Sequence, residues 1–194
     1  MFILASTSQT RKDLLHNAGL NFASVKPEID EKLLHQKYST LSPTELAPTL
    51  AAKKSGSLSL QYSEQLIIGA DQILHLNDNV LHKPSNLDEA RKTLQNLRGK
   101  THHLTTAIAC HLGGRQIWQH QAQAKLTMRK FSDDFLETYL TQKNQKALKS
   151  AGVYQLETNG IQLFEKIEGD YFTILGFPLL EFLEFLRTRS VLLK

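Results

Sequence analysis

Only one cysteine, Cys110, occurs in the 194 residues, so no intrachain disulfide can staple the fold. It lies in an apolar, strand-like run where a buried thiol is expected, and a reducing cytoplasm suits it. No apolar run approaches the ~18 residues that a membrane helix needs. The N-terminus lacks the charged region, apolar core and cleavage site of a secretory signal. A cytoplasmic protein without membrane contact is therefore expected. Lys and Arg are scattered; 23 of them against 19 Asp and Glu leave a net charge of +4, with no basic block of the kind nucleic-acid arms show. Anionic small molecules suit this charge, and no nucleic-acid partner is expected. The glycines of a P-loop or a dinucleotide fingerprint are missing, as are repeats, low-complexity tracts and flexible linkers. What is present is ordinary: 41% hydrophobic and 22% charged residues can bury a core. The length suits one domain over residues 1–194, with room for two small lobes sharing a cleft.

The pattern along the chain alternates strands and helices. Phe2-Ile3-Leu4-Ala5 reads as a short buried strand, followed by a helix from Thr10 to Ala18 that Gly19 closes. Phe22 to Val25 is a second strand, and the acidic Glu28-Ile29-Asp30-Glu31 segment follows Pro27. Ser42-Pro43-Thr44-Glu45 has the hydroxyl, proline and glutamate of a helix start. Leu66 to Ala70 is a continuous apolar run, typical of a central strand, and delivers Asp71 at its end. Asn77-Asp78-Asn79 makes a turn before a strand that ends at Lys83-Pro84, and Ser85 to Asp88 opens a helix reaching Leu97. Two long strands, His103 to Leu112 and Gln116 to Arg129, meet at the hairpin signal Gly113-Gly114. Asp133 to Leu140 is a helix, Tyr154 to Ile167 alternates like strand pairs, and Phe172 to Leu175 reads as a further strand. A Leu- and Phe-rich helix from Pro178 to Arg187 ends the pattern. The order predicts an α/β fold around one mixed, extended sheet flanked by helices.

The first strand and helix hold the sharpest local signal, Leu4-Ala5-Ser6-Thr7-Ser8-Gln9-Thr10-Arg11-Lys12. A helix N-terminus offers unpaired N–H groups and a positive dipole end, and Arg11 and Lys12 add full charges beside them. That is a cradle for phosphate. The plainer alternative is a helix capped by Ser8 with two solvated cations. Arg11, Glu31, Lys54, Asp71 and Lys83 recur at the ends of expected strands or on faces pointing back to them. Asp71 stands where open α/β sheets place their ligands, although a turn-forming Asp reads the same way. Glu31 alone suits a solvated loop, and Lys54 and Lys83 alone suit the surface. As a set they make chemical sense. Two carboxylates can hold Mg²⁺ or Mn²⁺ against phosphate oxygens. Three cations can neutralise a triphosphate, and one carboxylate can take a proton from water. The chemistry implied is hydrolysis of a phosphoanhydride.

These residues resemble the Maf family of nucleoside triphosphate pyrophosphatases, over nearly the whole chain. The likeness rests on Leu4-Ala5-Ser6-Thr7-Ser8 with Arg11, on Asp30-Glu31, and on Leu50-Ala51 with Lys54. It continues through Ile68-Gly69-Ala70-Asp71, Lys83-Pro84, Leu97-Arg98-Gly99-Lys100, Ala151-Gly152-Val153-Tyr154, Glu168-Gly169-Asp170-Tyr171 and Leu175-Gly176-Phe177-Pro178-Leu179. The resemblance implies an inosine-triphosphatase-like fold with two lobes around a cleft. It implies cleavage between the α and β phosphates of a nucleoside triphosphate with a divalent cation, and a homodimer, for which the apolar C-terminal helix also speaks. Asp71 matches the proton acceptor and, with Glu31, the metal-holding pair. Ser8, Arg11, Lys54 and Lys83 match the groups around phosphate.

Positions 10, 72 and 157 match those that set substrate preference in the family. Gln72 and Glu157 resemble the 7-methyl-GTP pyrophosphatase subgroup, whereas Thr10 replaces its usual aromatic residue, and His82 stands where the family usually has Gly. A carboxylate only accepts hydrogen bonds, which suits the N–H edge of a guanine-type base; the alternative is that Glu157 binds metal or a lysine. Other readings are a dTTP or UTP pyrophosphatase of the same family, and a nucleotide-binding regulator without turnover. His82, His102 and His103 lack the spacing of a metal site and read as solvated or strand-packing residues. Trp118 reads as packing.

Overall fold

Strand β1 (Phe2–Ala5) buries both of its faces. Phe2 and Leu4 join Leu14, Leu15, Ile68, Ala70, Phe177 and Phe182 in one apolar cluster. Ile3 and Ala5 join Leu58 and Ile67 in another. This is the period of two that a central strand imposes. The protein is described here by a computed structural model covering residues 1–141, 148 and 150–193.

On one side of β1 lies β2 (Phe22–Val25), parallel and in register from Phe2 opposite Phe22 to Ala5 opposite Val25. On the other lies β3 (Ile67–Leu76), also parallel, with Ile3 opposite Ile67. Strand β4 (Asn79–Leu81) returns antiparallel along the end of β3, after a turn in which Asn77 takes a φ of 53°. The long strands β5 (Thr101–Leu112) and β6 (Arg115–Met128) follow on either side of Gly113-Gly114, and β7 (Phe164–Glu168) runs antiparallel to β6. The seven-stranded sheet has the order β2-β1-β3-β5-β6-β7, with β4 on β3. Its helices are α1 (Gln9–Asn17), α2 (Glu31–Lys37), α3 (Pro43–Leu58), α4 (Leu87–Leu97), α5 (Asp133–Thr141), α6 (Tyr171–Ile174) and α7 (Leu179–Thr188). The mixed α/β architecture is the one the element order predicts. No helix among the described residues is long and apolar enough to cross a membrane.

The chain forms two compact units. One comprises Met1–Gln72, Thr105–Ala122 and Asp170–Lys194; the other comprises Ile73–Leu104 and Gln123–Gly169. In the first, Trp118 stacks on Phe185 of α7 with ring centroids 4.6 Å apart, so its role is packing. Cys110 is fully buried there. In the second, Arg91 of α4 holds Glu137 of α5, and Arg98 holds Asp133. His102 is fully buried, with its Nε2 2.8 Å from the Tyr154 hydroxyl, while His103 stacks on His75. His82 is exposed.

Four local expectations are corrected. Residues 154–163 form turns and a 3-10 segment (Asn159–Leu163), because the turn-forming Thr158-Asn159-Gly160 interrupts the alternation; only β7 is a strand. Phe172 to Leu175 is not a strand but lies in and after α6, whose cap is Asp170: its Oδ2 accepts from the Thr173 amide at 2.7 Å and the Thr173 hydroxyl at 2.9 Å. Asp30 caps α2, a helix absent from the sequence reading, by accepting from the Leu33 amide at 3.1 Å. Finally, Asp71 is inside β3, which runs on to Leu76, rather than at a strand end.

Candidate active site

Gly69 decides how closely β3 meets α3. A Cβ at that position would lie 2.2 Å from the Ala51 carbonyl oxygen and 2.6 Å from the Ser55 nitrogen, so the strand backbone rests directly on the helix. Two residues further along the same strand face stands Asp71. Beside Ser55 on the helix stands Lys54. Their side chains therefore meet: Lys54 Nζ donates to Asp71 Oδ1 at 2.6 Å, with the two residues only 6% and 7% exposed. The same Nζ lies 3.2 Å from Glu31 Oε1 at the start of α2. One ammonium thus bridges two carboxylates, one of them buried and the other solvent-facing.

Arg11 completes the cluster from α1. Ser8 is the N-cap of that helix, its hydroxyl accepting from the Arg11 amide, so the capping role the sequence offers is realised. The first turn of α1 has no acidic residue, and Arg11 and Lys12 bring positive charge to the positive end of a dipole, an arrangement that an anion relieves. The Arg11 Nε donates to the Gly176 carbonyl at 2.9 Å, which anchors the guanidinium. Burial holds its pKa below the ordinary value, while Asp71 and Glu31 pull the other way. Two cations, Arg11 and Lys54, and two carboxylates, Asp71 and Glu31, balance in this cluster. An open cavity of about 440 Å³ borders Glu31 and is lined also by Thr7, Lys26 and Lys32.

Gln72 follows Asp71 and points to the opposite sheet face. Its Nε2 donates to Thr106 Oγ1 at 2.8 Å and to the carbonyls of Thr173 and Ile174 at 2.9 and 3.1 Å. Neither Thr106 nor Thr173 stands out in the sequence as a site residue, whereas Asp170 belongs to the Glu168-Gly169-Asp170-Tyr171 block. The Asp170-x-x-Thr173 spacing of a capped turn is the signal that could find Thr173. Thr10 is half-buried in the first turn of α1. Lys83 and Glu157 belong to the other unit, both exposed, Lys83 after β4 and Glu157 in the turn before the 3-10 segment. Among the described residues, no group of three or more His, Cys, Asp or Glu side chains is placed to hold a metal ion.

The geometry defines an α/β protein with a buried acid–ammonium pair beside an arginine-bearing helix N-terminus. The family model described as Maf-like protein matches residues 1–189, and the chain belongs to that family. It is 45% identical over 187 residues to a 7-methyl-GTP pyrophosphatase of Rhizobium johnstonii, covering 95% of this chain and 94% of that one. It is 42% identical over 192 residues to a nucleoside triphosphate pyrophosphatase of Granulibacter bethesdensis, covering 98% of each. Among solved structures, the Ham1 protein of Staphylococcus aureus superposes with a TM-score of 0.48 at 15% identity, over 94% of this chain and 97% of that one.

Proposed function

We propose that this protein is a nucleoside triphosphate pyrophosphatase, hydrolysing the α–β phosphoanhydride to a nucleoside monophosphate and pyrophosphate, with 7-methyl-GTP or a related guanine nucleotide preferred. The observation that carries the reading is the Lys54 ammonium between Asp71 and Glu31, beside the anchored Arg11. The names of the relatives point the same way.

In this reading Arg11 and the α1 N-terminus take phosphate oxygens, and Lys54 follows the charge that grows on the phosphoryl group as its bridge breaks. Asp71 accepts the proton of the attacking water. Ser8 shapes the turn that presents Arg11, and Lys83 is the further cation that the family pattern implies. Glu157, an acceptor-only group, reads a donor on the base. The acidic pair fits a divalent ion such as Mg²⁺ or Mn²⁺, because both carboxylates already converge on one cationic centre. Such ions are held by one or two carboxylates with phosphate oxygens supplying the rest. Bound by Asp71 and Glu31, the ion would neutralise phosphate charge and polarise the phosphoryl group.

The test is pyrophosphate release from 7-methyl-GTP, GTP, dTTP and UTP with Mg²⁺ or Mn²⁺. Release is expected to be fastest with 7-methyl-GTP, lost in Asp71→Asn with nucleotide binding retained, and shifted away from guanine nucleotides in Glu157→Gln. A chain that releases no pyrophosphate from any of them, or an Asp71→Asn variant as fast as the parent, sinks the proposal.

A further inference from the structure

We infer that the cavity framed by the last turns of α3, His111 of β5 and Ile29 is a second ligand site, which takes a small organic anion with its charge on the His111 imidazole and its apolar body on Ile29 and Ala52. The inference goes beyond the pyrophosphatase reading and stands without it. The cavity holds about 410 Å³, a size ordinary for small-molecule sites, and its walls all belong to the first compact unit. Of those walls only Ile29 also borders the cavity beside Glu31.

His111 gives the cavity its chemistry. The residue is only 9% exposed. Its Nδ1 lies 2.8 Å from Ser55 Oγ, whereas Nε2 has no hydrogen-bond partner among the described residues and faces Gly56, on the wall of the cavity. Ser55 is fully buried, so the pair is no nucleophile for a substrate; the hydroxyl holds the ring. It donates to the Ala51 carbonyl at 3.1 Å, which leaves its oxygen to accept from Nδ1–H. An imidazolium here has one N–H already placed and the other beside the cavity, a charged donor in want of an acceptor. Burial lowers the His111 pKa, a cost that an anion at Nε2 offsets. Lys53, exposed and in no ion pair among the described residues, is the other charged side chain on the walls; Gln116 of β6 is neutral.

Gly56 keeps Nε2 open. It lies inside α3, outside the left-handed region that favours glycine, and glycine is a poor helix former. Unlike Gly69, it is not demanded by packing: beyond its own helix, a Cβ there would meet nothing closer than the His111 ring, with Nε2 nearest at 3.4 Å. What the missing methyl leaves free is the approach to that nitrogen. The facing wall is held in place. Ser57 Oγ accepts from the Glu28 amide at 3.2 Å and donates to the Lys54 carbonyl at 2.9 Å, which fixes the segment carrying Ile29 to α3. Ile29 and Ala52 supply apolar surface. A bare inorganic ion would leave that surface wet, whereas a short carboxylate with a hydrocarbon tail matches both parts of the cavity.

Calorimetry and imidazole NMR on the intact protein test this with butanoate, its uncharged counterpart butanamide, and inorganic phosphate. Butanoate is expected to shift the His111 ring signals, identified by their absence in His111→Gln, to saturation. It should also raise the ring pKa, so that affinity falls as pH rises through it. Butanamide should bind about tenfold more weakly, the scale of one hydrogen bond to a charged group, and phosphate should bind more weakly at this ring than butanoate does. Gly56→Ala should lose a similar factor while melting at or above the parent's temperature, because alanine favours the helix. Lys53→Gln should lose less, as an exposed ion pair does. The inference is overturned by a Gly56→Ala variant that binds butanoate like the parent, by butanamide as tight as butanoate, by phosphate tighter than butanoate, or by a His111 ring that no probe shifts. Pyrophosphate release is a separate readout: its absence sinks the hydrolase reading and leaves this site untouched.

Discussion

Lys54 carries unequal ties to its two acids. The bond to Asp71 is buried at both ends, whereas the Glu31 side chain is 59% exposed. Screening limits the second tie to about 0.2–1 kcal/mol. The first behaves differently, because removing one partner strands a charge in a place water does not reach. Lys54→Met is therefore expected to destabilise the fold by about 3 kcal/mol in urea titration, and a second change, Asp71→Leu, to recover much of that. Equal stability of Lys54→Met and the parent would show that Asp71 is solvated. Arg11, Glu31, Lys54 and Asp71 were legible in the sequence as a set because their charges and positions make joint chemical sense. Their pairing was not, since nothing in the residue string says that Gly69 lets a helix settle on the strand.

At the level of elements, β5 carries a pH dependence of stability. Burial, aided by the like charges of His103 and His75, pushes the His102 pKa down to about 4 from 6.5. The unfolded chain then binds a proton at this site that the folded chain refuses. Stability is complete above pH 6.5 and falls as pH drops through the window between 6.5 and about 4, by up to about 3 kcal/mol. Urea midpoints at pH 7 and 4.5 should show this, and His102→Gln should flatten the difference; an unaltered slope in that variant would assign the effect elsewhere. The elements legible in the sequence were those with strong punctuation. The reciprocal cap of Ser42 and Glu45 announces α3, and Gly113-Gly114 announces the break between β5 and β6. Helix α6 has four residues, too few for any periodicity, and its β-prone Phe172-Thr173-Ile174 is overridden by the Asp170 cap and by carbonyls committed to Gln72 and Thr106. Helix α2 shows no buried residue, so it lacks the apolar stripe by which a helix is read.

At the scale of the molecule, β3, β5 and β6 each contain residues of both compact units. Breaking one unit must therefore fray strands that the other also owns. The single tryptophan, Trp118, belongs to the first unit and is stacked on Phe185. Its fluorescence and the far-UV circular dichroism of the whole chain are expected to report one coincident urea transition; separated midpoints would mean that the units unfold independently. The bond from Arg11 to the Gly176 carbonyl spans 165 positions, nearly the full length of the chain. Closing such a loop belongs to the slow, non-local part of folding. During synthesis, then, the guanidinium proposed to meet phosphate emerges 165 residues before the carbonyl that anchors it, and waits untethered until that carbonyl has left the ribosome. A nascent chain that has not yet reached Gly176 therefore lacks the anchor that fixes this guanidinium, so the N-terminal half of the proposed phosphate cradle is set only by a residue translated much later.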